Sequence, residues 1–70
     1  MKDLFDVAAL LKEERLRQNI NQVEISKRMG VSQQHVSNIE LGKVKDFDIL
    51  EKYASAINKH INFTITLTNR

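Results

Sequence analysis

Gly30 is the position that most restricts what this chain can become. It stands between two segments with matching punctuation. Asn21 is placed to cap a helix over Gln22–Met29, and Ser32 to cap another over Gln33–Leu41. A residue that leaves a helix and reverses the chain takes a positive φ, which glycine does at little cost. Two helices of about two turns each, joined by Gly30-Val31-Ser32, form the helix-turn-helix pattern. Within the second, Val36 and Ile39 point one way, while Gln34, Ser37 and Asn38 point the other with Gln33 at their flank. A merely solvated face normally carries Lys and Glu, so a face of amides and hydroxyls asks for a partner.

The flanking segments supply the rest of the core. Leu4, Ala8, Leu11 and Arg15 recur at helical spacing, with Phe5, Ala9 and Leu16 beside them, and predict a helix from Leu4 to Gln18. Asp3 or Asp6 can cap its start, and Asn19 can close it in the left-handed conformation. Arg15 lies in line with the apolar stripe, so it either snorkels outward or meets a carboxylate inside. Beyond Gly42, Asp46 is expected to cap a fourth helix whose stripe is Phe47, Leu50, Tyr53, Ala54 and Ile57. From Ile61 the period changes to two: Ile61, Phe63, Ile65 and Leu67 alternate with Asn62, Thr64, Thr66 and Thr68. A lone strand cannot satisfy its own backbone, so its expected partner is a second copy of the chain. The reading divides the chain into a helical part, 1–59, and a dimerisation strand, 60–70.

Seventy residues is one domain, short enough that oligomerisation is an expected source of stability. The absence of Cys excludes disulfides, thiolate metal sites and a thiol nucleophile, and His35 and His60 are too far apart in sequence for a metal clip. Neither a metal nor another cofactor is expected. His35 reads as a flank of the helix that follows Ser32 and His60 as part of the helix–strand turn. Asp46, Asp48 and Glu51 suit the polar start of a helix. No phosphate-binding loop, nucleophile elbow or metalloprotease motif occurs, so the chain reads as a non-enzyme. Its apolar runs are too short for a membrane span and Met1-Lys2-Asp3 does not open a signal peptide, which places it in the cytoplasm. The formal net charge of +2 is uneven: Arg15 to Lys45 carries six basic residues against two acidic, and the flanks five against seven. A basic middle suggests one face turned to a polyanion.

The run from Ile20 to Lys43 resembles the Xre family, the helix-turn-helix of Cro and phage repressors. Gln22, the Gly30 turn, the Ser32 cap, Ile39-Glu40 and Gly42-Lys43 all fall in register, and the likeness extends over about residues 10 to 57. Ser26 stands where Ala is usual, and the Pro often found after the recognition helix is missing. With its alternating tail the chain is most similar to HipB-type antitoxins. The resemblance implies a mainly α, lambda-repressor-like domain of four helices, extended by one β-strand that pairs across a homodimer through Ile61, Phe63, Ile65 and Leu67. It also implies a partly buried ion pair between Arg15 and Glu40.

Gln and Asn can bond adenine N6 and N7 in the major groove. Gln33, Gln34 and Asn38 are therefore the expected base readers, with Ser32 and Ser37 secondary. The resemblance puts Gln22 on a phosphate, and Asn21, Lys43, Lys45 and Arg15 are further candidate backbone contacts.

The function that follows is a sequence-specific DNA-binding repressor, a homodimer on an inverted-repeat operator in double-stranded DNA. Within that class the resemblance favours an autoregulating antitoxin paired with a toxin such as a HipA-like kinase. A stand-alone phage, mobile-element or restriction-controller regulator is the alternative. A helix-turn-helix module used for protein interaction is the competing class; its docking face should be richer in aromatics and Met.

Overall fold

The computed structural model describes residues 4–61, which form four helices: α1 Leu4–Arg17, α2 Gln22–Met29, α3 Gln33–Glu40 and α4 Asp48–Ala56. No helix is long and apolar enough to cross a membrane. The expected strand residues Phe63, Ile65 and Leu67 lie outside the described residues; Ile61, the first of the series, packs half-buried against the helical core.

Helices α2 and α3 are only eight residues each, too short to persist in water on their own. What holds them is local capping and a shared core. The Asn21 side chain accepts from the Glu24 N–H at 2.8 Å, and Ser32 Oγ accepts from the His35 N–H at 3.0 Å. Each cap satisfies one of the donors that a helix start leaves free.

All four helices stop in the same way. At each end a residue with positive φ follows: Asn19 at 61°, Gly30 at 71°, Gly42 at 80° and Asn58 at 59°. After α1 the Ile20 N–H reaches back to the Arg15 carbonyl, after α2 Val31 to Ser26, after α3 Lys43 to Asn38, and after α4 Lys59 to Ala54. This is the Schellman closure, in which a left-handed residue turns the chain and returns N–H groups to the last carbonyls.

Helix α4 begins differently from the sequence expectation. Asp46 does not cap it. The residue before the helix is Phe47, already in the right-handed helical region, with no side-chain cap. Its carbonyl accepts from the Leu50 and Glu51 N–H groups, and its ring packs half-buried on the core. An apolar anchor thus sets this helix start, and Asp48 and Glu51 in the first turn suit its positive end.

The core is Val7, Ala8, Leu11, Ile25, Val36, Ile39, Leu50, Tyr53, Ala54 and Ile57, drawn from all four helices and the residue that closes α4. Helices α2 and α3 pack on each other, α1 lies across α3, and α4 seals the far side against α1 and α2. The inner line of α1 includes Val7, whereas Ala9 and Leu16, read as flanking the stripe, are exposed. Ser26 is buried and its hydroxyl donates to the Val23 carbonyl at 2.6 Å, so the hydroxyl that replaces the usual methyl is satisfied within its own helix. Two side chains from elsewhere reach the end of α4: Gln18 donates to the Ile57 carbonyl at 3.0 Å and Arg28 to the Ala56 carbonyl at 2.8 Å.

A Cβ added at Gly30 would meet nothing within 4 Å, so a substitution there is strained by its φ alone. Gly30→Ala should therefore lose about 1 kcal/mol of stability, the order of the left-handed penalty for an L-residue. Gly30→Asn should lose less, because Asn tolerates that region. Denaturant titration of the three proteins checks the order.

Candidate nucleic-acid interface

Helix α3 is divided lengthwise by its own periodicity. Val36, Ile39 and Glu40 are buried, while Gln33, Gln34 and His35 are exposed and Ser37 and Asn38 are half-exposed. The Ser32 cap and the Gly30 turn fix where this helix starts, and α2 and α1 fix which side faces inward. Gln22, Gln33, Gln34 and Ser37 line one shallow depression on the outer side. His35, Asn38, Lys43, Val44, Lys45, Asp46 and Ile49 line another, with Ile39 at its floor. The expected base readers therefore share one face. Lys43 and Lys45 are exposed in the loop that follows it, and Asn21 and Gln22 sit at the start of α2 beside it.

Beneath that face lies a buried carboxylate with four donors. Glu40 Oε2 accepts from Arg15 Nε at 2.6 Å and from the Tyr53 hydroxyl at 2.5 Å. Its Oε1 accepts from Arg15 Nη2 at 3.2 Å and from Gln22 Nε2 at 2.9 Å. Arg15 spends its remaining amino group on the Ile20 carbonyl at 2.6 Å, which anchors the α1–α2 turn. The side chains of Arg15 and Glu40 are 6% and 3% exposed. So of the two roles expected for Arg15 the structure places it in the ion pair. As a whole residue Arg15 is 5% exposed, and each of its three nitrogens already donates to Glu40 or to the Ile20 carbonyl. Gln22, expected on a phosphate, has its amide nitrogen turned inward to Glu40.

Burial opposes ionisation of Glu40, yet the hydrogen bonds from Arg15, Tyr53 and Gln22 and the charge of Arg15 outweigh it and hold the carboxyl below its ordinary value. Burial and the neighbouring carboxylate push Tyr53 well above the ordinary phenol range, so it keeps the proton that it donates to Glu40. For Arg15 burial acts against the charge, and Glu40 more than restores it.

Other cations of the basic middle are engaged away from α3. Arg17 pairs with Glu14 at 2.6 Å, and Arg28 pairs with Glu24 at 3.1 Å besides closing α4. Sequence reasoning did not anticipate the Tyr53 hydroxyl or the closures by Gln18 and Arg28. For Tyr53 a signal existed, because a tyrosine in a buried stripe needs a partner for its O–H. No group of His and acidic residues that could hold a metal ion occurs among the described residues.

A helix-turn-helix family model matches residues 11–63. The chain belongs to the Xre/Cro-type helix-turn-helix family. No solved structure matches the chain. As a member of this family the chain is a DNA-binding regulator, and α3 is the second helix of its helix-turn-helix. The matched residues span α2, α3 and α4, and they include Arg15, Glu40 and Tyr53 beneath the recognition face.

Removing one partner of a buried pair strands the other charge, at a cost of about 3–5 kcal/mol. Glu40→Gln should therefore lower the melting midpoint substantially at neutral pH. The pH dependence has a definite sign. A carboxyl held below its ordinary value of 4.5 contributes stability above that value, and the contribution is lost as pH falls through the folded-state pKa. The gap between parent and variant should accordingly narrow in acid, as thermal melts across the pH range will measure.

Proposed function

We propose that this protein is a sequence-specific repressor that binds an inverted-repeat operator as a homodimer and acts as the autoregulating antitoxin of a toxin–antitoxin pair. The observation that carries the DNA-reading part is the outer face of α3, where Gln33, Gln34 and Asn38 stand exposed or half-exposed opposite the buried Val36 and Ile39. Amides with one donor and one acceptor end match the major-groove edge of adenine, and a helix fits that groove. Ser32 and Ser37 border the same face. Asn21, Lys43 and Lys45 surround it as phosphate contacts, and Gln22, whose side-chain NH2 is held by Glu40, joins them through its backbone N–H at the start of α2. These contacts contribute salt-dependent affinity and fix orientation.

The dimer rests on the alternation of Ile61, Phe63, Ile65 and Leu67, a pattern that one copy cannot cover and two related by a twofold axis can. A pair of recognition helices then has to span about 34 Å, the separation of successive major grooves. The antitoxin assignment rests on the resemblance of the tail to HipB-type antitoxins. It implies a toxin on a separate chain, such as a HipA-like kinase. Expression of the adjacent reading frame with and without this chain tests it: growth arrest relieved by co-expression supports the pairing, and a harmless neighbour rules it out.

Selection from randomised duplexes, followed by mobility shifts, tests the readout. Gln33→Ala or Asn38→Ala should remove about 1–3 kcal/mol of discrimination at one or two base pairs. Lys43→Ala should weaken all duplexes alike and reduce the salt slope by about one. Binding by Gln33→Ala and Asn38→Ala that matches the parent on selected and scrambled DNA would show that α3 does not read bases.

A chain ending at Lys59 should sediment as a monomer and bind the selected duplex far more weakly, because the second half-site no longer gains from tethering. A persistent dimer would exclude the tail as the interface.

A further inference from the structure

The end of α4 is held from both sides. Its backbone closure serves two carbonyls: Ala54 accepts from the Lys59 N–H at 2.8 Å and Ser55 from the Asn58 N–H at 3.0 Å. The next two carbonyls are taken by side chains from other elements. Arg28 of α2 donates through Nη1 to Ala56 at 2.8 Å, and Gln18, just past α1, donates through Nε2 to Ile57 at 3.0 Å. Among the described residues no other helix end is finished in this way.

The Gln18 amide is fixed in its turn. Its Nε2 also donates to Glu14 Oε2 at 3.1 Å, so both protons go to groups that only accept, and the amide fits in one sense. The same Glu14 oxygen lies 3.6 Å from Lys59 Nζ, on the outgoing chain. None of these four side chains lines the depressions on the outer face of α3. What they surround is the point where the chain leaves the helical body. Asn58 turns it there at φ 59°, and Ile61 packs half-buried on the core.

We propose that Gln18 and Arg28 fix the direction in which the chain leaves α4 and so determine the half-site spacing that the dimer accepts. Both are positioning residues, and Glu14 orients Gln18. Their effect on spacing rests on the reading of the tail as the dimer interface. Helix ends fray when nothing holds their last turn. In a dimer joined by its tails each recognition helix stands about 17 Å from the twofold axis, half the separation of successive major grooves. A swing of about 10° at the exit then moves it by about 3 Å, close to the rise of one base pair. A small angular freedom at the end of α4 is therefore enough to admit a neighbouring spacing.

The test uses the full chain and duplexes carrying two selected half-sites as an inverted repeat, with the spacer varied one base pair at a time. The parent should bind best at one spacing. Gln18→Met keeps the length and net charge of the side chain but donates nothing. The ratio of its binding at the optimum to its binding one base pair away should fall about three- to tenfold, the effect of losing one hydrogen bond. Its binding to a single half-site should match the parent's. Arg28→Met should lower the same ratio, and it decides the matter if Gln18→Met does not fold. An unaltered spacing profile in both variants, or a loss that is equal at every spacing, overturns the proposal. A parent that binds all spacings alike also overturns it, and sedimentation then separates the causes. A dimer leaves the tail interface standing, whereas a monomer removes that reading as well.

Discussion

The rest of the molecule is organised around one carboxylate. Glu40 is the last residue of α3, and its two oxygens collect donors from α1, α2 and α4. A recognition helix of eight residues cannot define its own orientation. Apolar packing by Val36 and Ile39 supplies cohesion, but it is non-directional and tolerates rotation about the helix axis. Hydrogen bonds to a fixed carboxylate do not. The network sets the rotation and tilt of α3 against three other helices, and thereby which side chains face outward. Among the described residues no buried side-chain donor or acceptor lacks a partner, so the network is complete and not a source of frustration.

The division of labour along α3 follows from this arrangement. Its inner residues do the structural work, and none of its outward ones has to contribute to stability. Gln33, Gln34 and Asn38 are free to be chosen for what they meet across the surface. The same separation holds in the surrounding cations. Arg15, Arg17 and Arg28 are held by carboxylates or carbonyls of the fold, whereas Lys43 and Lys45 stand exposed beside the recognition face.

Much of this was legible in the residues themselves. Asn21, Gly30 and Ser32 act at short range, so their roles can be read from neighbours a few positions away. The bounds expected for α2 coincide with those observed, and α3 ends one residue earlier than its expected limit. Asn19 and Gly42 closed their helices for the same local reason, and Asn58 does so without having been singled out. The start of α4 misled because Asp46 has the chemistry of a cap, while Phe47 has the tertiary contact that prevails. Arg15 announced itself as a charge in an apolar stripe, and the structure sets it 2.6 Å from Glu40. The Tyr53 hydroxyl could not be placed by period alone, since a stripe reports burial and not what a polar tip will find.

The buried network also constrains how this sequence can change. An apolar trio of similar volume in place of Arg15, Glu40 and Tyr53 could hold the helices equally well, since replacing a buried ion pair outright is often neutral or stabilising. No sequence of single substitutions leads there easily. Losing Arg15 first leaves a carboxylate in the core, and losing Glu40 first leaves a guanidinium there. Each intermediate sits in a stability valley comparable with the whole margin of a small domain, about 5 kcal/mol. Arg15 and Glu40 are therefore tied to each other, while the exposed amides on the outer face of α3 can be replaced one at a time without crossing such a valley.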